Sequence, residues 1–228
     1  MYKVRTFLAV IPARGGSKRL PRKNVLDLCG KPLIVWSIEA GLKSNYIDKV
    51  VVSSDDEEIL NISKEYGAET IKRPNEFASD TATTFDAIKH TIDNLEIYDY
   101  VVLLQPTSPL RDDKHIDEAV KLLQTKNADA VVSVCEMDHS PLWSNTLPED
   151  GSLANFRHEK AKGKRSQDLE KYYRVNGAIY ICKTEKLLEE KGFFLKDNIF
   201  AYVMDRESSV DIDEDIDFKI AKVLKKEK

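Results

Sequence analysis

The chain reads as an α/β protein whose parallel strands are joined by helical crossovers, and three features predict this. Short apolar runs rich in β-branched residues alternate with amphipathic stretches of helical period. Gly, Pro and Asp punctuate the junctions between them. The 228 residues, 42% hydrophobic and 32% charged, suffice for one sizeable core or two small domains.

Phe7-Leu8-Ala9-Val10-Ile11 is brief, apolar and ended by proline, as a buried strand should be. Pro32 opens a helix whose Ile34, Val35, Ile38 and Leu42 form an apolar stripe. Val50-Val51-Val52 is a second strand, followed by a helix carrying Ile59, Ile62 and Tyr66. A short strand near Thr70-Ile71 leads through Arg73-Pro74 into the polar run from Ala78 to Thr84. Phe85, Ile88, Ile92 and Leu95 describe the next helix, and Tyr100-Val101-Val102-Leu103-Leu104 the next strand, ending at Gln105-Pro106. Ile116, Ala119, Val120 and Leu123 then mark a helix before the strand Ala130-Val131-Val132-Ser133-Val134.

The rhythm breaks over 138–171, which is polar and holds Pro141, Pro148, Gly151 and Gly163 beside Arg157, Lys160, Lys162, Lys164 and Arg165. It reads as an insertion within one domain spanning 1–228, either a functional arm or a solvated charged loop. Strands resume at Gly177-Ala178-Ile179-Tyr180-Ile181 and at Phe200-Ala201-Tyr202-Val203-Met204. A last helix carries Ile216, Ile220, Val223 and Leu224.

Charge and cysteine content narrow the function. With 35 basic and 39 acidic residues the net charge is −4, which steers poorly onto a nucleic-acid backbone. Cys29, Cys135 and Cys182 stand far apart without a C-x-x-C, the pattern of reduced thiols in a cytoplasmic protein. His90, His115, His139 and His158 lack zinc-ligand spacing. The N-terminus lacks a signal-peptide pattern, and no apolar stretch is long enough to span a membrane.

The most informative stretch follows the first strand. Residues 11–24, Ile-Pro-Ala-Arg-Gly-Gly-Ser-Lys-Arg-Leu-Pro-Arg-Lys-Asn, gather Arg14, Lys18, Arg19, Arg22 and Lys23 around Gly15 and Gly16. Glycines let backbone N–H groups approach a ligand, and the cations oppose a polyanion. An open α/β sheet binds phosphates at such a place, although a solvated turn has similar composition. Neither a Walker A loop nor a G-x-G-x-x-G is present. The second signal is Asp211-Ile212-Asp213, whose carboxylates share a side if the backbone is extended. They suit a hard cation such as Mg²⁺, or they complement the dipole of the last helix. Two like unit charges ~4 Å apart repel by about 4 kcal/mol at an effective dielectric of about 20. An aspartate pair beside a triphosphate therefore calls for a divalent ion between them, provided the fold unites the two stretches.

These two stretches, with Leu103-Leu104-Gln105-Pro106-Thr107-Ser108-Pro109-Leu110-Arg111 and Asn176-Gly177-Ala178-Ile179-Tyr180, resemble the CMP-N-acylneuraminate (CMP-sialic acid) synthetase family. The likeness runs over nearly the whole chain. It implies a nucleotide-diphospho-sugar-transferase-like (Rossmann-like) three-layer α/β/α sandwich with a mostly parallel sheet and a dimerisation insertion at 138–171. The implied reaction joins CTP to a nonulosonic acid, giving the CMP-sugar and pyrophosphate with Mg²⁺. By the same resemblance Arg14, Ser17 and Lys23 hold the triphosphate, with Lys23 offsetting charge at the α-phosphate. Asn24, Arg73, Ala82 and Thr84 surround the cytidine, while Gln105, Tyr180, Phe193 and Phe194 line the sugar pocket. Asp211 and Asp213 hold the metal, and one of them helps to deprotonate the anomeric hydroxyl. Gln105, Arg174 and the basic arm are candidates for the sugar carboxylate, Arg165 reaching a partner subunit's substrate across a homodimer. Two departures stand out: Arg165-Ser166-Gln167-Asp168 replaces the Arg-Arg-Gln-Asp of many members, and Trp143 stands where some carry lysine. Legionaminic acid, pseudaminic acid and Kdo remain alternative acceptors. A non-catalytic phosphate- or RNA-binding module is the reading from another class.

Overall fold

The computed structural model describes residues 5–78, 82–154 and 156–227. Among these, one seven-stranded sheet runs in the order β3-β2-β1-β4-β6-β5-β7. Its strands are β1 (Phe7–Pro12), β2 (Lys49–Ser54), β3 (Glu69–Lys72), β4 (Tyr100–Leu103), β5 (Ala130–Glu136), β6 (Tyr173–Lys183) and β7 (Ile199–Met204). All neighbouring pairs are parallel except those of β6, which runs antiparallel to both β4 and β5. The expected mostly parallel sheet is therefore present. The reversal at β6 follows from the chain between β5 and β6, where the described residues of 138–171 form three short 3-10 turns and no crossover helix.

Alternation along the strands feeds two apolar layers. Phe7, Ala9 and Ile11 of β1 face one side with α1 (Leu33–Lys43), α2 (Glu57–Glu65) and α4 (Asp113–Lys126), represented by Ile34, Ile38, Ile59, Ile116 and Leu123. Leu8 and Val10 face the other side with α3 (Thr84–Asp93) and α5 (Thr184–Glu190), represented by Ile88 and Leu187. Helices on both faces make the α/β/α sandwich that the resemblance implies. Asp56 caps α2, and capping boxes open α3 at Thr83 and α4 at Asp112.

Two helical details differ from the sequence reading. Helix α5 carries too short a stripe to announce itself, so it is absent from the periodicity. Helix α6 (Asp215–Glu227) is present, but Ile216, Ile220 and Val223 are exposed. Its packed face is instead Ala221 and Phe218, which meet Leu20, Leu28, Leu33, Trp36, Val210 and Ile212 in a third, smaller core. No helix among the described residues is long and apolar enough to cross a membrane.

Candidate functional site

The strand order reverses between β1 and β4, so the loops leaving their carboxyl ends diverge and open a crevice. A cavity of about 590 Å³ lies there, lined from β1 by Pro12 and the loop to Asn24, from β3 by Arg73, and from β4 by Gln105, Pro106 and Thr107. Arg14, Ser17, Lys23, Asn24, Arg73, Ala82, Thr84, Gln105 and Asp213 all contribute walls. Ser79, Asp80 and Thr81, in the polar run singled out by sequence, lie outside the described residues.

The chain ends meet at this cavity. Lys23 Nζ donates to the carbonyl oxygen of Ile212 (2.5 Å) and lies 3.5 Å from Asp213 Oδ1, while Arg19 pairs with Asp213 at 3.2 Å. The cause is hydrophobic as well as electrostatic, because Leu20 of the cationic loop and the fully buried Ile212 belong to the third core. Alternation around Ile212 then turns Asp211 and Asp213 to the opposite side. The Asp211 carboxyl is pushed above the usual range mainly by burial, and further by the neighbouring Asp213 charge. A side-chain hydrogen bond from Thr107 acts the other way. Asp213 is exposed at the rim, and its backbone N–H, like that of Glu214, donates to Asp217 Oδ2. Asp217 thus ties the segment to the first turn of α6, and Asp213 faces the cavity.

The cationic loop is not uniformly turned inward. Arg22, in the left-handed region at φ 57°, pairs with Asp56 and Glu58 outside the cavity. Asp56 is held below the ordinary carboxylate range by that guanidinium. Nor does Gly15 offer its N–H to a ligand, since it donates to Asp55 Oδ1 (3.1 Å). A Cβ at Gly15 would stand 2.7 Å from Asp56 Oδ2, so a larger residue would push the Asp56 side chain aside. Arg14, Lys18, Arg19 and Lys23 remain on the cavity side. Arg73, close enough to Arg14 to feel its charge, is 5% exposed, its Nε has no hydrogen-bond partner among the described residues, and Asp55 lies 4.0 Å away. Burial lowers its pKa, Asp55 opposes that, and Arg14 adds repulsion. Two guanidinium groups sharing one wall favour an anionic or carbonyl-rich occupant.

The residues expected around a sugar gather beyond Gln105. Tyr180 packs against Phe193 and Phe194 at ring distances of 5.6 and 6.3 Å. Phe193 is buried and Phe194 exposed. Burial raises the Tyr180 pKa, with a further push from Asp211. Arg174 donates to the carbonyl oxygen of Ser209 (3.0 Å), two residues before Asp211. Arg165 is not brought to this chain's cavity: it lies in the arm, exposed and paired with Asp168 at 3.0 Å.

Sequence reading assigned no role to Arg111 or Thr107. Arg111 is 1% exposed and holds Ser37 Oγ (2.7 Å), the Ala178 carbonyl (3.4 Å) and the Gln105 carbonyl (3.5 Å), tying α1, β6 and the β4 exit together. Burial lowers its pKa to about 10. A charged residue after Pro109-Leu110 was the available signal, but only burial reveals its use.

Comparison with known proteins agrees with this architecture. Residues 8–228 match the family described as "Cytidylyltransferase". The chain belongs to that family. It is 42% identical over 222 residues to an N-acylneuraminate cytidylyltransferase of Escherichia coli O18:K1:H7 (strain RS218 / NMEC), covering 97% of this chain and 52% of the relative. It is 38% identical to a pseudaminic acid cytidylyltransferase of Campylobacter jejuni serotype O:23/36 (strain 81-176), with 96% of each chain covered. The chain spans about half the length of the N-acylneuraminate cytidylyltransferases it matches. Among family-like folds, a CMP:2-keto-3-deoxy-manno-octonic acid synthetase complexed with CTP superposes with a TM-score of 0.72 at 19% identity, over 97% of this chain and 99% of the other. That likeness establishes the fold of the cytidylyltransferase chain and nothing finer.

Proposed function

We propose that this cytidylyltransferase couples CTP to a nonulosonic acid, releasing pyrophosphate and forming the CMP-sugar. The observation that carries the reading is the meeting of Lys23 and Arg19 with the Asp211–Asp213 segment at one cavity. Arg14, Ser17 and Lys23, all in the cavity wall, hold the triphosphate, and Lys23 offsets the charge developing at the α-phosphate. Asn24, Arg73, Ala82 and Thr84 take the cytidine. Gln105, Tyr180, Phe193 and Phe194 form the acceptor side, with Gln105 and Arg174 toward the sugar carboxylate.

The bond made joins the anomeric oxygen to the α-phosphorus, and the bond broken joins that phosphorus to pyrophosphate. The proton leaves the anomeric hydroxyl toward a carboxylate of the acidic segment or a water beside it. Such in-line displacement needs positioning and charge neutralisation more than a covalent protein group. The donor set fits Mg²⁺: Asp211 and Asp213, near enough for the charge of one to raise the pKa of the other, would hold the ion through their carboxylate oxygens. A bound Mg²⁺ supplies charge neutralisation at the phosphates. One carboxylate of the segment, directly or through a water, takes the acceptor's proton.

Residues 138–171 are read as a dimerisation arm, supported by the exposed Trp143, Leu147 and Leu153. In that homodimer Arg165 extends toward the partner subunit's acceptor. Three free cysteines suit a reducing cytoplasmic compartment.

The test is a panel of CTP and Mg²⁺ with N-acetylneuraminic, legionaminic and pseudaminic acids, read by product mass and pyrophosphate release. A CMP-sugar from at least one acid is expected, and none from any acid with folded protein rejects the reading. Lys23→Ala should lower kcat by about 10²-fold while CTP still binds. An unchanged kcat removes Lys23 from the α-phosphate.

A further inference from the structure

Asn176 is fully buried, lies within a strand, and serves no role so far described. Between the pairs Val132–Tyr180 and Val134–Val175 the β5–β6 register jumps, leaving Asn176 to Ile179 opposite Ser133 alone. Ser133 fills the gap in the ladder. Its Oγ accepts from Ile179 N (2.8 Å) and stands 3.0 Å from the Ile179 carbonyl and 2.6 Å from Asn176 Oδ1. Asn176 Oδ1 also accepts from Ala178 N (3.2 Å), whereas Nδ2 donates to Ser209 Oγ (2.9 Å) and meets Met204 Sδ (3.3 Å). The amide therefore has one orientation, because turning it over would set Nδ2 against the Ala178 N–H. All its donor and acceptor capacity is used, as a buried amide requires.

The network ends beside the carboxylate. Ser209 Oγ donates onward to the Asp205 carbonyl (2.5 Å), and Arg174 holds the Ser209 carbonyl. Two residues further is Asp211, whose other flank is pinned by Ile212 N donating to the Thr107 carbonyl (2.8 Å). Gly177, next to Asn176 and at φ 77°, forms the surface beneath. A Cβ there would stand 2.8 Å from Gln105 Oε1 and 3.3 Å from Asp211 Oδ2.

We propose that Asn176 is a positioning residue that, through Ser209, fixes the segment carrying Asp211 against the β5–β6 bulge. This rests on the reading of Asp211 as a ligand of the metal–triphosphate complex. Near-attack geometry is sensitive at the ångström scale, where a misplacement of ~1 Å can cost about 10²-fold. A fully satisfied amide network is one means of holding a backbone to that tolerance. An apolar residue of similar size would fill the space without selecting one position of Ser209.

The experiment compares wild type, Asn176→Ala and Ser209→Ala in the full chain. Amide hydrogen exchange over 205–213 is read without ligands, and Mn²⁺ binding to CTP-loaded protein by electron paramagnetic resonance. kcat and KM for CTP are measured alongside. Both variants should exchange faster over 205–213 than the parent, bind Mn²⁺ about tenfold more weakly, and lose kcat by about 30-fold while KM for CTP stays within about twofold. If Asn176→Ala fails to fold, Ser209→Ala, which removes the other end of the same bond, decides. Folded variants with wild-type exchange, Mn²⁺ affinity and kcat overturn the role of Asn176. If wild-type protein with CTP binds no Mn²⁺, the metal reading itself fails, and this inference with it.

Discussion

The two walls of the cavity are built on different physics. The acidic wall is anchored from below: Ile212 lies in a small apolar core, and buried hydrogen bonds hold Ser209 and Ile212 N–H. The cationic wall sends Leu20 into the same core but is otherwise held by polar contacts: Arg22 to Asp56 and Glu58, Gly15 N–H to Asp55, Asn24 to the Arg14 carbonyl, and Lys23 and Arg19 to the opposite wall. Buried apolar and satisfied polar contacts are stiff, whereas half-exposed ion pairs contribute little and exchange readily with water. The acidic wall should therefore be the stiffer of the two when a polyanion enters. The division suits the proposed reaction, which would keep carboxylates at a fixed angle while admitting a flexible triphosphate.

The contrast can be broken most severely at Asp211. Asp211→Asn should lower turnover by about 10²–10³-fold. It should also raise the melting temperature measured without ligands at neutral pH. The sign follows from the raised pKa: the folded protein holds the proton more tightly than the unfolded chain. The resulting penalty is absent below the ordinary carboxylate range, grows as pH rises through it, and is complete above the folded-state value. The asparagine variant should therefore gain nothing at acid pH and most at neutral pH, and a lower melting temperature at neutral pH would contradict the account.

Ile212→Ala tests the anchor rather than the ligand. Truncating a fully buried isoleucine costs about 2–5 kcal/mol. Denaturant unfolding should show that loss together with weaker Lys23–Asp213 coupling in a double-mutant cycle. A loss near zero would mean the third core does not hold the wall.

Arg22→Ala probes the loose side. Its partners are partly exposed, so stability should change by no more than about 1 kcal/mol. KM for CTP should rise only a few-fold, while kcat at saturation stays put. A collapse of kcat would show the cationic loop to be as stiff as its counterpart.

Much of this was legible in the chain. Alternating periods predict the strands and five of the six helices, because period 2 and period 3.6 are local properties of side-chain order. The cationic stretch and the aspartates announce themselves by composition. Other features were not legible. Nothing near Arg22 says that it turns outward to Asp56, since that depends on where β2 ends beside the loop. The stripe of α6 misled, because Ile216, Ile220 and Val223 are periodic but unpacked in this chain, while Ala221 fills the contact.

Local chemistry alone marks which segments are strands and which stretches carry the cations and the carboxylates, because these depend on residues adjacent in the chain. Their meeting is a property of the folded sheet. Strand order puts the reversal between β1 and β4, and a few apolar residues around Ile212 carry the far end of the chain to that point. Contacts between residues some 190 positions apart, such as Lys23 with Ile212, leave no periodic trace, and only packing decides them.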